Sequence, residues 1–131
     1  MHSTVQDTAE LERLRKGGEQ AVADLFARYR DKLHRMIVLR LDGRVARKVD
    51  SEDVLQDAFM ETARRIQDYI DRPSVPFFVW LRQITAQVLI DTHRRYLAAQ
   101  MRDVRQEDQQ RFLMMRQAEH RKRRALQRTI F

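Results

Sequence analysis

The sequence predicts an all-α fold, a compact bundle of three or four helices followed by a basic helical tail. The 131 residues include only three Gly and two Pro, which is typical of a chain with few loops. Apolar residues recur at three- and four-residue spacing in four or five segments, the period of an amphipathic helix. No segment keeps the period-two alternation of a strand. A chain of this length fits one domain with a core of moderate size.

Two helices are predicted in the first third of the chain. The first spans about Thr8 to Lys16 and ends at Gly17-Gly18, because glycine terminates helices. The second spans about Glu19 to Leu41 and ends at Asp42-Gly43. Its apolar stripe, which we expect to be buried, consists of Val22, Leu25, Phe26, Tyr29, Leu33, Ile37 and Leu41.

The third predicted helix begins in the stretch DSEDVLQDAF at 50–59, which holds four carboxylates. Asp50 is a natural N-cap, and the acids that follow suit the positive end of the helix dipole. Asp71-Arg72-Pro73 ends the helix. One face carries its larger apolar side chains and a threonine: Leu55, Ala58, Phe59, Thr62, Ile66 and Tyr69.

A fourth helix follows the Pro-containing loop. Ser74 is predicted to cap it, with Pro76 in its first turn and an end near Leu97. Trp80 stands beside the face expected to be buried, which consists of Phe77, Leu81, Ile84 and Val88.

A charged segment is predicted to separate this helix from a fifth, which runs from about Asp108 to Gln127. The apolar stripe of the fifth helix is thin, only Phe112, Met115 and Leu126, so we expect this helix to need a partner in order to fold. The predicted domain boundary divides a helical domain, residues 1–107, from a basic tail or truncated linker, residues 108–131.

The charge distribution favours a polyanionic partner. The formal net charge is +7 and the pI about 10.5, and residues 101–131 alone carry nine basic and four acidic residues, a net of +5. Such a tail binds nucleic acid or is simply solvated. Cysteine is absent, which excludes disulfides and thiolate metal sites. The sequence has no membrane-spanning stretch and no secretory signal, so we expect a cytoplasmic protein that does not contact membranes.

Groups that would support catalysis are scattered. The four histidines fall on separate segments, at His2, His34, His93 and His120, and none forms a Glu-x-x-His pair. No Gly-rich phosphate loop occurs. The carboxylates at 50, 53 and 57 share one side of a helix and could hold a cation, although a solvated face that satisfies the cap is favoured. We therefore expect no enzymatic activity, no metal and no cofactor.

An exposed acidic patch is predicted on the third helix. Asp53, Gln56 and Asp57 fall at i, i+3 and i+4, away from the apolar face that contains Leu55 and Phe59. Capping needs only Asp50 and one neighbour, which leaves acids for binding a basic partner. The alternative is that these acids only stabilise the start of the helix.

The fourth helix has the residue types of a nucleic-acid surface. The segment VPFFVWLRQITAQVLIDTHRRYL at 75–97 contains polar side chains predicted to share one side, namely Arg82, Gln83, Gln87 and Arg94, with His93 and Arg95 near its end. Arginine binds phosphate, amides read base edges and aromatic faces stack on bases. The alternative is an ordinary core helix with a hydrated outer face.

Three segments together resemble region two of bacterial sigma factors of the extracytoplasmic-function (ECF) group. DSEDVLQDAFMETARRIQDY resembles the Asp-x-x-Gln-Asp/Glu element of that family. WLRQITAQVLIDTHRRYL is similar to the Trp-Leu-x-x-Ile-Ala-x-Asn helix, and AVADLFARYRDKLHRM to the first conserved helix. The likeness covers about residues 10–107.

The resemblance implies a role in transcription initiation without catalysis. It implies that the Asp53/Gln56/Asp57 patch docks on the β′ clamp helices of RNA polymerase core. The loop at 72–78 and the helix from Trp80 to Arg95 would engage the melted non-template strand of the minus-ten promoter element. An anti-sigma factor is a further partner that remains open.

Two departures from the family pattern affect the expected function. Gln87 stands where the family often has Asn, and Thr85 replaces Ala. Family members carry a second, helix-turn-helix domain, which the residues up to Phe131 do not contain, so the chain is either truncated or a stand-alone region-two protein. Two rival functions stay open: an interaction module that binds polymerase or an anti-sigma factor without directing initiation, and a general nucleic-acid binder.

Overall fold

All regular structure in the described part of the chain is helical. The structure is a computed structural model that describes residues 4–130 and the side chains of residues 7–129. Its helices are α1 (Thr4–Arg40), α2 (Gly43–Ala46), α3 (Ser51–Asp71) and α4 (Phe77–Ile130). The chain divides into two compact units, the first ending at His93 and the second beginning at Arg94. The all-α prediction is confirmed. None of the described helices is long and apolar enough to cross a membrane.

Glycines break α1 where the sequence predicts an interruption. Gly18 has φ 59° and ψ −145°, a conformation that side chains with a Cβ rarely adopt. A Cβ on Gly17 would lie 2.5 Å from Cβ of Ala21, so the preceding position also requires glycine. The break allows the residues before Gly18 to fold as a separate segment of α1.

A buried carboxylate joins the two segments of α1 across this break. Glu10, only 3% exposed, accepts a hydrogen bond from the Tyr29 hydroxyl. Burial of the phenol, followed by this hydrogen bond, raises the pKa of Tyr29 to about 12. Leu14, one turn after Glu10, is buried in the core. The short first segment is therefore part of the bundle.

The core consists of the predicted faces of α1, α3 and the first part of α4. Most of the predicted residues are buried, whereas Tyr29, Leu41, Phe59 and Ile66 are half-buried at its edge. Several buried residues were not predicted: Leu14, Ala21, Val45, Val54 and Leu89. Hydroxyls of Thr62, Thr85 and Thr92 donate to the carbonyls four residues earlier, each at 2.8 Å, so their burial leaves no orphaned donor.

Aspartates start both α2 and α3. The Asp50 carboxylate accepts from the Glu52 backbone N–H at 3.0 Å, which confirms the predicted N-cap. Asp42 does the same for Arg44 at 2.8 Å, and this backbone hydrogen bond lowers the pKa of Asp42. The sequence predicted only a helix end at Asp42-Gly43; the structure adds a short helix that buries Val45.

The start of α4 differs from the prediction, and so does its length. The helix begins at Phe77, and the Pro76 carbonyl accepts its first bond, from Trp80 N–H at 3.1 Å, so Ser74 is not the cap. The predicted interruption between residues 97 and 108 is also wrong, because α4 is continuous to Ile130. No Gly or Pro follows Pro76 in the sequence, so nothing in this segment strongly disfavours helix. The domain boundary predicted at residue 108 falls inside α4.

Candidate functional site

The acids at the start of α3 have two separate structural environments. Asp50 caps the helix, and Glu52 forms an ion pair with Arg30 on α1. Nε2 of His34, also on α1, lies 3.6 Å from Oε1 of Glu52 and 2.9 Å from Oγ of Ser51. These contacts hold the beginning of α3 against α1.

The second environment is an exposed acidic patch formed by Asp53, Gln56 and Asp57. All three side chains are exposed, on the side of α3 opposite the buried Val54 and Ala58. The structure therefore brings together the three residues that the sequence assigned to one surface. Among the described residues, no cluster of three or more His, Asp or Glu side chains could hold a metal ion.

The amide residues of α4 are also exposed. Gln83 and Gln87 lie one turn apart on the solvent side, and Gln87 Nε2 donates to Asp91 Oδ1 at 3.1 Å. Arg94 and Arg95 are exposed at the start of the second unit. His93 is half-buried, and its Nε2 accepts the backbone N–H of Asp42 at 3.2 Å. This bond fastens α4 to the residues before α2 and occupies one of the ring nitrogens.

Arg82 lies on a different side of α4 from Gln83, contrary to the single stripe predicted from the sequence. Neighbouring residues of a helix point about 100° apart, and Arg82 points toward α1. There it lines a groove of ≈ 290 Å³ between α1 and α4, here called the basic groove. The other lining residues are three cations, Lys32, Arg35 and Arg40, and four apolar residues, Leu33, Met36, Leu39 and Phe78.

The apolar part of the lining of the basic groove includes an aromatic ring. Lys32 Nζ lies 5.5 Å from the centroid of the Phe78 ring, which itself packs 4.9 Å from the Tyr29 ring. Leu39 is 79% exposed. The sequence reasoning missed the α1 side of this surface. In the sequence, the α1 side is visible as a run of basic and apolar residues beside the buried positions 33 and 37. Only the fold shows that this run lies next to Arg82.

The loop before α4 is held in place by an aromatic cluster. The Tyr69 hydroxyl donates to the Val75 carbonyl at 2.6 Å, and burial raises the pKa of Tyr69. The Tyr69 ring stacks on Trp80 at 4.7 Å, and Phe77 lies 5.8 Å from Trp80. Trp80 is half-buried, so its ring belongs mainly to the packing between α3 and α4.

Comparison with known proteins identifies the family. Residues 25–98 match the family model described as Sigma-70 region 2, and this segment includes the acidic patch, the loop, and the exposed glutamines of α4. The match covers more than half of the chain. The protein belongs to the Sigma-70 region 2 family.

The chain is also similar to curated proteins of one particular group. It is 30% identical over 108 residues to the ECF RNA polymerase sigma-E factor of Haemophilus influenzae, covering 82% of this chain and 51% of that protein. It is 31% identical over 102 residues to the ECF RNA polymerase sigma-E factor of Escherichia coli K12, covering 78% of this chain and 48% of the relative. The chain thus spans about half the length of the curated relatives it matches. No solved structure matches the chain significantly.

Proposed function

We propose that the protein is a sigma factor region-two domain of the ECF group, which binds RNA polymerase core and helps to recognise and melt the minus-ten promoter element. The family membership supports this role, as do the relatives named RNA polymerase sigma factors. The protein would supply binding surfaces, and polymerase would supply the catalysis. We propose that it acts in the cytoplasm, where it would meet polymerase and DNA.

The acidic patch is the proposed polymerase-binding surface, and the shared exposure of its three residues on one face of α3 supports this assignment. Asp50 and Glu52 already serve the cap and the contact with α1. Asp53, Gln56 and Asp57 lie on one solvent-exposed face of α3, where carboxylates suit a basic partner surface such as the clamp helices of the β′ subunit. Charge complementarity of this kind determines the choice of partner and speeds association.

A binding experiment with RNA polymerase core tests this assignment. The double variant Asp53→Arg/Asp57→Arg should lose most of its binding while its melting temperature changes little, since exposed substitutions usually alter stability by at most about 0.5 kcal/mol. The control variant Asp24→Arg/Asp31→Arg makes the same change of charge on the exposed face of α1 and should bind normally. Equal binding by the two folded variants would refute the assignment.

For promoter DNA we propose two contacts within the first unit. The anchored loop at 72–76 and the exposed Gln83 and Gln87 would meet bases of the melted non-template strand. Arg82 and the other cations of the basic groove would meet phosphates, and Phe78 supplies an aromatic surface. Such combinations of basic and aromatic side chains bind single strands. His93, already bonded to the Asp42 backbone, would position α4 rather than contact a base.

Arg94 and Arg95 are proposed as separate phosphate contacts in the second unit. Both are exposed, and Arg binds phosphate without reading sequence.

The alternative function is an interaction module that binds polymerase or an anti-sigma factor without directing initiation. The same acidic patch would then be used, but the protein would not prefer promoter strands. Binding of fluorescent single-stranded oligonucleotides with and without a minus-ten element distinguishes the two. Equal affinity for both, together with normal polymerase binding, would favour the alternative.

A further inference from the structure

The second unit is a helix without a core of its own. Every described residue from 101 to 129 is exposed, although isolated helices are only marginally stable in water. Large apolar side chains are among them: Phe112 is 61% exposed, Met114 67% and Met115 69%. A partner that covers these side chains would stabilise the helix.

Apolar residues of this unit follow a heptad pattern. Steps of four and three residues from Leu97 lead to Met101, Val104, Met115, Ala118 and Ala125. Side chains at this spacing form one seam along a helix, which is the pattern of a coiled coil. Asp108, Arg111 and Lys122 occupy the remaining seam positions, so the seam alone is weak.

We propose that this seam pairs with the same seam of a second copy of the chain, antiparallel and centred near residue 113. The pairing buries Phe112, Met114 and Met115 of both copies at the centre. It is isologous, with each surface facing its own copy across a two-fold axis. The proposal concerns self-association and does not depend on the proposed function.

Charges along the two flanks of the seam support this arrangement. A two-fold axis perpendicular to both helices places the same flank of each helix side by side. One flank then brings Arg105 within one turn of Glu119 of the partner. The other flank brings Glu107 within one turn of Arg121 of the partner. Flanking charges of this kind select partner and orientation in coiled coils, and the symmetry repeats each pair twice.

The polar seam residues also favour antiparallel pairing. Asp108 of one copy lies about one turn along the helix from Lys122 of the other, on the same side of the seam. In a parallel pair, each would instead face its own copy. In a parallel pair the five basic residues of 121–128 would also lie beside the same residues of the other copy. In the antiparallel pair they lie instead beside the first half of the partner helix, which holds Asp103, Glu107 and Asp108.

A competing occupant of this helix is nucleic acid, which would attract the basic residues. It would leave the exposed Phe112, Met114 and Met115 without a role, and it makes no use of the alternation of charge between Arg105 and Glu119. The apolar centre and the charge pattern together favour a second copy of the chain.

Cysteine cross-linking tests the orientation directly, because the chain has no cysteine of its own. Arg105→Cys and Glu119→Cys variants of the 131-residue chain are oxidised separately and as an equal mixture. We expect a disulfide-linked dimer in the mixture and little in either variant alone. A Val104→Cys variant is oxidised as well, because Val104 lies in the seam and faces its own copy only in a parallel pair. Self-linking of Val104→Cys would indicate a parallel pair, and a monomer at tens of micromolar by light scattering would exclude pairing; either result overturns the proposal.

Charge reversal tests the flanks with a matched control. Arg121→Glu places like charges beside Glu107 of the partner and should raise the dimer dissociation constant about tenfold. The compensating change Glu107→Arg should restore it. Arg124→Glu makes the same change of charge on the outer side of the helix and should have little effect. Equal weakening by the two single variants, or dimerisation that appears only when DNA is added, would refute the proposal.

Discussion

Arg30 on α1 and Glu52 in the first turn of α3 form an ion pair that joins the two helices. Glu52 is thereby tied to α1, although half of its side chain stays exposed, whereas the next residue, Asp53, lies on the exposed face that also holds Gln56 and Asp57. Two adjacent acids in one short stretch thus have different structural surroundings. The distinction means that stability and the proposed binding of polymerase at this end of α3 can be altered independently.

The first prediction separates these two properties. Glu52→Gln should lower the free energy of unfolding by ~0.2–1 kcal/mol, the usual contribution of a partly exposed ion pair, and should leave polymerase binding unchanged. Arg30→Gln should cost a similar amount, and the double variant should cost less than the sum, because both changes remove the same pair. Urea titrations of the four proteins measure this coupling. Strict additivity would show that the pair contributes nothing.

A second prediction concerns Trp80, whose ring stacks on Tyr69. Trp80→Ala should reduce the free energy of unfolding by about 2–4 kcal/mol, since it removes a large, half-buried ring and its aromatic contacts. Gln83→Ala on the exposed side of the same helix is the control and should stay within about 0.5 kcal/mol of wild type. If Trp80→Ala melts like the wild type and loses only DNA binding, the ring is a stacking surface for bases.

The raised pKa of Tyr29 predicts a loss of stability at high pH. A phenol that ionises near pH 10 when unfolded and at about 12 when folded stabilises the fold fully below pH 10. This contribution is lost as the pH rises through about 12. Tyr29→Phe has no such group, so the stability difference between wild type and variant should shrink over this range. Unfolding measured from pH 9 to 11.5 tests this, and parallel curves would contradict it.

The fourth prediction distinguishes phosphate contacts from base reading. Arg82→Ala should weaken binding to all single strands and reduce the slope of log affinity against log salt by about 0.7, the value for one phosphate contact. Gln87→Ala should keep that slope and flatten the preference among minus-ten variants, because an amide can read a base edge. Arg15→Ala, on an exposed part of α1, serves as control. A changed salt slope for Gln87→Ala would reverse the assignment.

Local chemistry explains why parts of the fold could be predicted. The Asp50 cap depends on residues within one turn, and the break at Gly18 depends on the conformational freedom of that residue. Leu25, Leu33 and Ile37 recur at the period of a helix, so the sequence alone shows that they share one face. Because all three are apolar, that face could be predicted to be buried. The acidic patch was predictable for the same reason, since its three residues share one helix.

Contacts between distant segments explain what the sequence did not reveal. The Glu10–Tyr29 and Asp42–His93 bonds join residues 19 and 51 positions apart, and neither pair has a sequence pattern. Arg82 and Gln83 were predicted to share one stripe because both are polar. Neighbouring residues of a helix point about 100° apart, so the two side chains lie on different sides. The absence of Gly and Pro after Pro76 indicates that α4 is unbroken. The prediction of an interruption relied instead on the high charge of the following segment, and it was wrong.

The hydrogen bond from Tyr69 to the loop before α4 ends on a backbone carbonyl, that of Val75. Every amino acid supplies such an oxygen, so the anchor does not depend on which side chains the loop carries. Substitutions among its exposed residues, such as Ser74, can therefore alter what the loop touches without releasing it from α3. The proposed contact of this loop with a DNA strand can therefore change its preference through single substitutions while the bundle beneath it stays intact.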